Sequence, residues 1–381
     1  MIFQKYTLLT YHLCRFNIEY SSASVNDNMR ENFSGCNIRG KHIIFTGMTP
    51  ALPGKGTIGF TTTIPVEIIF AAGYIPCDLN NIFVTDPDPQ HFVDRAEHDG
   101  FPHNICTWIK GIYGVIMEHE MAAVITVMEG DCSNTQALAE ILRYKGIRTI
   151  PFSFPYDRDV RVLAREIEKL RDELSPDAGS GLRVEEEMTA ARSHLEEIDT
   201  MTWSERNVTG AENHLWLVRS SDMLGNITRY SDAAAAFIGA ARRRERIEGI
   251  PLGYIGVPPI ISGLYEFVEE VGGHVVYNET QRQFSIPHRT ADIVERYLLY
   301  TYPYGIFARL EDIGREVERR GIKGIIHYVQ AFCFRAIEDL ILRETLPVPI
   351  LTIEGDLPRA LDTRTKNRIE AFIEMLEGMQ D

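Results

Sequence analysis

Three cysteines, Cys106, Cys132 and Cys333, each stand where an apolar run gives way to an amphipathic helical pattern. Residues 122–128 (AAVITVM) read as a buried strand, 129–132 as a loop and 133–143 as a helix. Residues 325–329, the turn at 330–333 and a helix from Phe334 repeat that plan far along the chain. Cys106 follows a Pro/His/Asn loop and precedes a helical stretch at 107–118. A thiol at a helix N-terminus meets partial positive charge, which favours the thiolate. Thiolates are the ligands of soft metals and of iron–sulfur clusters. There is no CxxC pair and no ferredoxin-like run, so spacing leaves two readings open: small buried core thiols or a ligand set. A zinc site would complete itself with His103 or His327. Three thiolates with an open fourth position suit a [4Fe–4S] cluster whose unique iron takes substrate or water. Cys77, which follows Ile75-Pro76 where a strand begins, reads as a core thiol.

The elements that must carry these residues alternate between strand and helix. TIGFTTTIPVEIIFAAGYIPCDL reads as a strand, a Pro-marked turn, a short helix from near Pro65 and a second strand. Strand, loop and helix then alternate to about residue 151. A second such series starts at Pro251: PLGYIGVPP, a helix at 261–271, a strand at 274–277, a helix at 310–320, the Cys333 strand and turn, the strand PVPILTIEGD, and a helix at 363–379. Between 157 and about 246 the pattern is helical only, with helices expected at 157–174, 185–198 and 233–246. The expected fold is therefore α/β: two parallel-sheet domains, 48–156 and 250–381, joined by a mainly helical segment at 157–249. Ligands of such sheets bind outside the carboxyl ends of the strands, and two such faces turned together would share one cleft holding the cluster. Residues 1–47 lack any apolar period and read as a disordered extension or a mis-assigned start, with Met48 as the alternative start. Cys14 and Cys36 fall in that stretch.

Composition narrows the function classes. A chain of 381 residues with 44 % hydrophobic and 10 % aromatic residues has ample material for real cores. The net charge of −15 argues against nucleic acid as the main partner, since phosphate contacts need clustered Lys and Arg. The one basic cluster, residues 242–246, falls at an expected helix end, where cations are favoured anyway. No apolar run approaches the roughly 18–20 residues that span a bilayer, and the first residues make a poor signal peptide. A cytoplasmic chain without membrane partners is expected. Six cysteines in a chain this long are no secreted disulfide framework. There is no GxxxxGK[ST] phosphate loop.

From about Ile58 onward the chain resembles the 2-hydroxyacyl-CoA dehydratase family, of the D-component or beta-subunit type, related to benzoyl-CoA reductase subunits. The segments that carry the resemblance are IPVEIIFAAGYIPCDL, VTGAENHLWLVRSSDMLGN, GIKGIIHYVQAFCFRAIEDLILRETLPVPILTIEGD and the closing RIEAFIEML. It implies that Cys106, Cys132 and Cys333 hold a [4Fe–4S] cluster. It also implies an acyl-CoA substrate, a paralogous partner subunit or a homodimer, and a separate ATP-dependent activator that injects one electron. One-electron reduction of the thioester to a ketyl acidifies an otherwise unreactive β-proton, which explains why such machinery is needed. The resemblance places Glu67 where a carboxylate could act as a catalytic group facing the cluster; its other reading is a charge complementing a helix N-terminus. Members of the family commonly have Asp after the second cysteine, whereas here Asp131 precedes Cys132 and Ser133 follows it. Two other functions remain open from the residues: a cluster-dependent reductase, including the double-cubane type that would need about six thiolates, and a non-catalytic electron-transfer protein.

Overall fold

The computed structural model describes residues 54–177 and 179–379, together with a pair of short strands nearer the N-terminus. The chain divides into two compact units, Met1–Thr49 and Pro50–Asp381. In the first, strands β1 (Asn37–Arg39) and β2 (His42–Ile44) pair antiparallel. Cys14 and Cys36 lie outside the described residues.

The second unit is α/β, with two four-stranded sheets that are parallel throughout. The first contains β3 (Thr57–Phe60), β4 (Ile75–Asp78), β5 (Ala123–Glu129) and β6 (Thr149–Ser153) in the order β4-β3-β5-β6. The second contains β7 (Ile250–Gly256), β8 (Gly273–Asn278), β9 (Gly324–Gln330) and β10 (Ile350–Gly355) in the order β10-β9-β7-β8. Counted along the chain, both sheets run second, first, third, fourth, so the halves share one topology. In each, the order reverses between the first and third strands, where the loops beyond the carboxyl ends diverge and leave a crevice. Helices cover the sheets, which is why β8 and β9 are buried along their whole length.

Between the sheets, the described residues of 157–249 contain helices and no strand. Val160–Leu174 is capped by Asp159, whose carboxylate accepts from the amides of Arg161 and Val162. Ser180–Thr200 continues into a π-helical turn at Met201–Glu205, and Gly210–Arg219 starts in a capping box of Thr209 and Glu212. The third of the expected helices runs Ile227–Ala241 rather than 233–246: Asn226 caps it, accepting from the Arg229 amide, which moves the start ahead of the alanine run. Four short helices had no clear sequence signature: Leu79–Thr85, Gln90–His98, Glu279–Phe284 and Ile293–Leu299. Their lengths hold too few turns to develop a period. Among the described residues no helix is long and apolar enough to cross a membrane.

Candidate functional site: three helix-capping thiols

Cys106 is the N-cap of helix Thr107–Glu118, which buries Ile109, Ile112, Tyr113, Val115 and Ile116. Each such side chain contributes about 1.5–3 kcal/mol by leaving water. Gly114 lets this helix press against Gln90–His98, since a Cβ there would overlap the backbone of Phe92. The loop before Cys106 is pinned by Lys110, a buried ammonium that donates to Glu97 (2.7 Å) and to the His103 carbonyl (3.2 Å).

Cys132 leaves the carboxyl end of β5 and caps helix Ser133–Tyr144, its Sγ accepting from the Asn134 amide at 3.4 Å. Gly130 turns the chain with φ +94°, and a Cβ there would lie 2.8 Å from Cβ of Phe154 and 2.9 Å from Cβ of Pro303. Cys333 leaves β9, the matching strand of the other sheet, and caps the 3₁₀ turn Phe334–Glu338. Phe332 before it is held at φ +64°, and the Cys333 amide donates to the Gln330 carbonyl. Cys132 and Cys333 thus stand at the same distance beyond the third strand of their respective sheets, one on each half.

These loops bring the three thiols into one neighbourhood. The charge of Cys106 would interact with both Cys333 and Cys132, and that of Cys132 with Cys333. Burial is the largest influence on each, pushing Cys106 up to about 12 and Cys132 up to about 11, and raising Cys333. Helix-start amides, those of Trp108, Asn134 and Arg335, pull in the opposite direction. The expected bias toward thiolate is therefore outweighed by desolvation in the protein alone. Any metal centre held by these thiols would have to supply the driving force that removes their protons.

The supporting residues are mostly ones the sequence did not mark. The loop 300–305 (YTYPYG) packs Pro303 against the Cys132 loop. Phe154, just beyond β6, sets its ring edge-on to Tyr300 (5.8 Å) and Tyr304 (6.1 Å). Arg335 donates to the Tyr302 carbonyl at 2.7 Å. Asp131 accepts from the Thr135 hydroxyl at 3.0 Å; burial lifts its carboxyl to about 7, against the pull of Thr135, Arg335 and Thr61. Arg309 donates to Glu279 (2.7 and 3.0 Å) and to Glu338, while Glu279 accepts from the Gly256 amide, so one buried guanidinium ties the end of β7 to the Cys333 turn. The aromatic run around Pro303 was the one available sequence signal.

The other candidates lie differently. Glu67 sits in the first turn of helix Val66–Ala71 and is buried. Its Oε1 accepts from Arg192 (2.6 Å) and Arg296 (3.0 Å), and its Oε2 from the Tyr297 hydroxyl (2.9 Å). Burial would raise its pKa, but Arg192 and Arg296 together hold it below the ordinary carboxylate value. Those partners commit both oxygens, and the charges acting on it are the two arginines'. His103 is exposed and bonded to Glu97 (2.8 Å), and His327 is bonded to Asp339 (2.7 Å). Cys77 has Asp222 and Asp78 as its charged neighbours.

Among the described residues no three His, Cys, Asp or Glu side chains converge tightly enough for one metal ion. That disfavours the zinc arrangement. A cubane is a different case, because its cysteines bind separate irons at separate corners and need not close around one atom. Three mutually influencing thiols, Cys106 buried and Cys132 and Cys333 half-buried, fit that donor chemistry. No curated protein of known function matches the chain. A family model described as 2-hydroxyglutaryl-CoA dehydratase, D-component, matches residues 61–376, an interval that takes in β4 to β10, the helices between the sheets and all three thiols. The chain belongs to that dehydratase D-component family.

Proposed function

We propose that this chain is the iron–sulfur subunit of a 2-hydroxyacyl-CoA dehydratase, with Cys106, Cys132 and Cys333 holding one [4Fe–4S] cluster. The observation that carries it is the gathering of three cysteines at helix N-cap positions, two of them just beyond equivalent strands of two sheets, in one neighbourhood. Family membership supports the reaction class. When bound, the cluster would supply one-electron reduction and Lewis acidity toward a substrate oxygen. The chain's own residues do the rest. Thiols from both halves tie the group to a crevice walled by the loop 300–305, which restricts water. Asp131 and Arg335 bring opposite charges beside the thiols. Glu67 is assigned no proton transfer, since both its oxygens are committed to Arg192, Arg296 and Tyr297. A partner subunit of similar fold, or a second copy, and a separate ATP-dependent activator complete the system in a reducing cytoplasm.

The test is anaerobic purification followed by iron and sulfide counts per chain, EPR of the reduced protein, and a dehydration assay with activator and partner. Iron and sulfide in cubane proportion, lost rapidly in air, are expected, because an iron without a protein thiolate is open to oxidants. Zinc held stably in air would return the thiols to a structural role. A full cluster without dehydration of any 2-hydroxyacyl-CoA would favour the electron-transfer reading.

A further inference from the structure

Tyr302 occupies the middle of the loop that the two halves close around, and its surroundings converge on the thiols. Asp131, Arg335, Cys333 and Cys132 are the charged or chargeable groups acting on its hydroxyl. Its ring is fixed on several sides. The Arg335 guanidinium lies 4.9 Å from the ring centroid, Tyr300 stacks at 6.1 Å with an interplanar angle of 22°, and Phe284 meets it edge-on at 5.4 Å. The same Arg335 also holds the Tyr302 carbonyl, so ring and backbone are clamped by one side chain. Tyr302 is half-buried. It lines a small pocket beside Cys333 together with Thr280, Arg309, His327 and Arg335. A rigid aromatic wall with one polar tip beside a ligand set is how a site orients a small polar group.

Resting on the proposed function, we infer that Tyr302 is a substrate contact: it walls the water-sized pocket of about 10 Å³ beside Cys333, and its hydroxyl donates to the thioester oxygen that an acyl-CoA places in that pocket. The alternative donors nearby are less suited. Arg309 is committed to Glu279 and Glu338, and the His327 Nδ1 to Asp339. Tyr302 shares that wall with the Thr280 hydroxyl and the other ring nitrogen of His327, and it is Tyr302 on whose hydroxyl both Cys132 and Cys333 act.

The test uses the full chain, purified and loaded with iron and sulfide without air, in three forms: wild type, Tyr302→Phe and Tyr144→Phe. Tyr144 is the control because its side chain is 92 % exposed at the far end of the helix that begins after Cys132. Iron and sulfide content, calorimetric affinity for 2-hydroxyglutaryl-CoA, and the EPR spectrum with and without that thioester are measured. Tyr302→Phe should keep its iron, bind the thioester about fivefold more weakly, as expected for one net hydrogen bond, and lose most of the thioester-induced spectral change. Tyr144→Phe should match wild type. Unchanged affinity and spectrum in Tyr302→Phe, equal weakening in both variants, or loss of iron from Tyr302→Phe would each overturn the assignment while leaving the iron–sulfur reading intact. A wild-type protein that takes up no iron would instead remove that reading, and this inference with it.

Discussion

Replacing Glu67 with Gln separates a carboxylate that holds the fold from one that moves protons. The substitution keeps the shape and leaves an acceptor for the Tyr297 hydroxyl, but it removes the charge that Arg192 and Arg296 share. Arg296 retains Glu185, whereas Arg192 loses its one ion-pair partner among the described residues. Breaking a buried ion pair from one side costs about 3–5 kcal/mol because the opposite charge stays buried. The surviving Glu185 contact and Tyr297 bond put this site at the low end, ~3 kcal/mol. In a chain this long that corresponds to a melting temperature lower by roughly 4 °C. Anaerobic scanning calorimetry reads the shift, and iron content per folded chain should not change. The pH dependence has a definite sign. The arginines hold the folded pKa of Glu67 below its ordinary 4.5, so its contribution is complete above that value and disappears as the pH falls through the folded pKa. Wild type and Glu67→Gln should therefore converge in stability in acid and diverge toward neutrality. A variant that melts within about 1 °C of wild type, a shift too small for any broken buried pair, yet has lost turnover, would refute this and return Glu67 to catalysis.

Replacing Cys106, Cys132 or Cys333 singly with Ser should remove or degrade the cluster, because an alkoxide is a harder and more basic ligand than a thiolate; iron and sulfide analysis reads the loss. Cys77→Ser, beside Asp78 and Asp222, should leave iron content unchanged at a modest packing cost. Gly130→Ala should destabilise by about 1–3 kcal/mol, since φ +94° strains an L-residue and its Cβ would meet Phe154 and Pro303. Because that collision displaces the Cys132 loop, the EPR signal of the loaded protein should also broaden or shift, and an unchanged spectrum would show that the loop tolerates the movement.

The strands and most long helices were legible in the residues because their signals are local. Residues 122–128 differ by one position from the observed Ala123–Glu129, and helix Thr107–Glu118 begins and ends where its pattern does. Alternation of strand and helix was enough to imply parallel sheets, because only a crossover helix connects parallel neighbours over such lengths. Helix-start placement of the three cysteines was likewise written in the chain. Their gathering was not, because it depends on strand order: β5 and β9 both sit third along the chain yet next to the first strand in their sheets. The helix-start pull on the thiols was legible, but the opposing desolvation was not, since a helix end is a local feature while desolvation depends on what the rest of the chain stacks over it. The partners of Glu67 come from Arg192, Arg296 and Tyr297, on helices far along the chain. So does the placement of Tyr302 beside Cys132 and Cys333. Periodicity reports which face of an element is apolar; only the packed tertiary structure decides which distant side chain meets that face, because such contacts follow from strand order and helix stacking rather than from neighbouring residues.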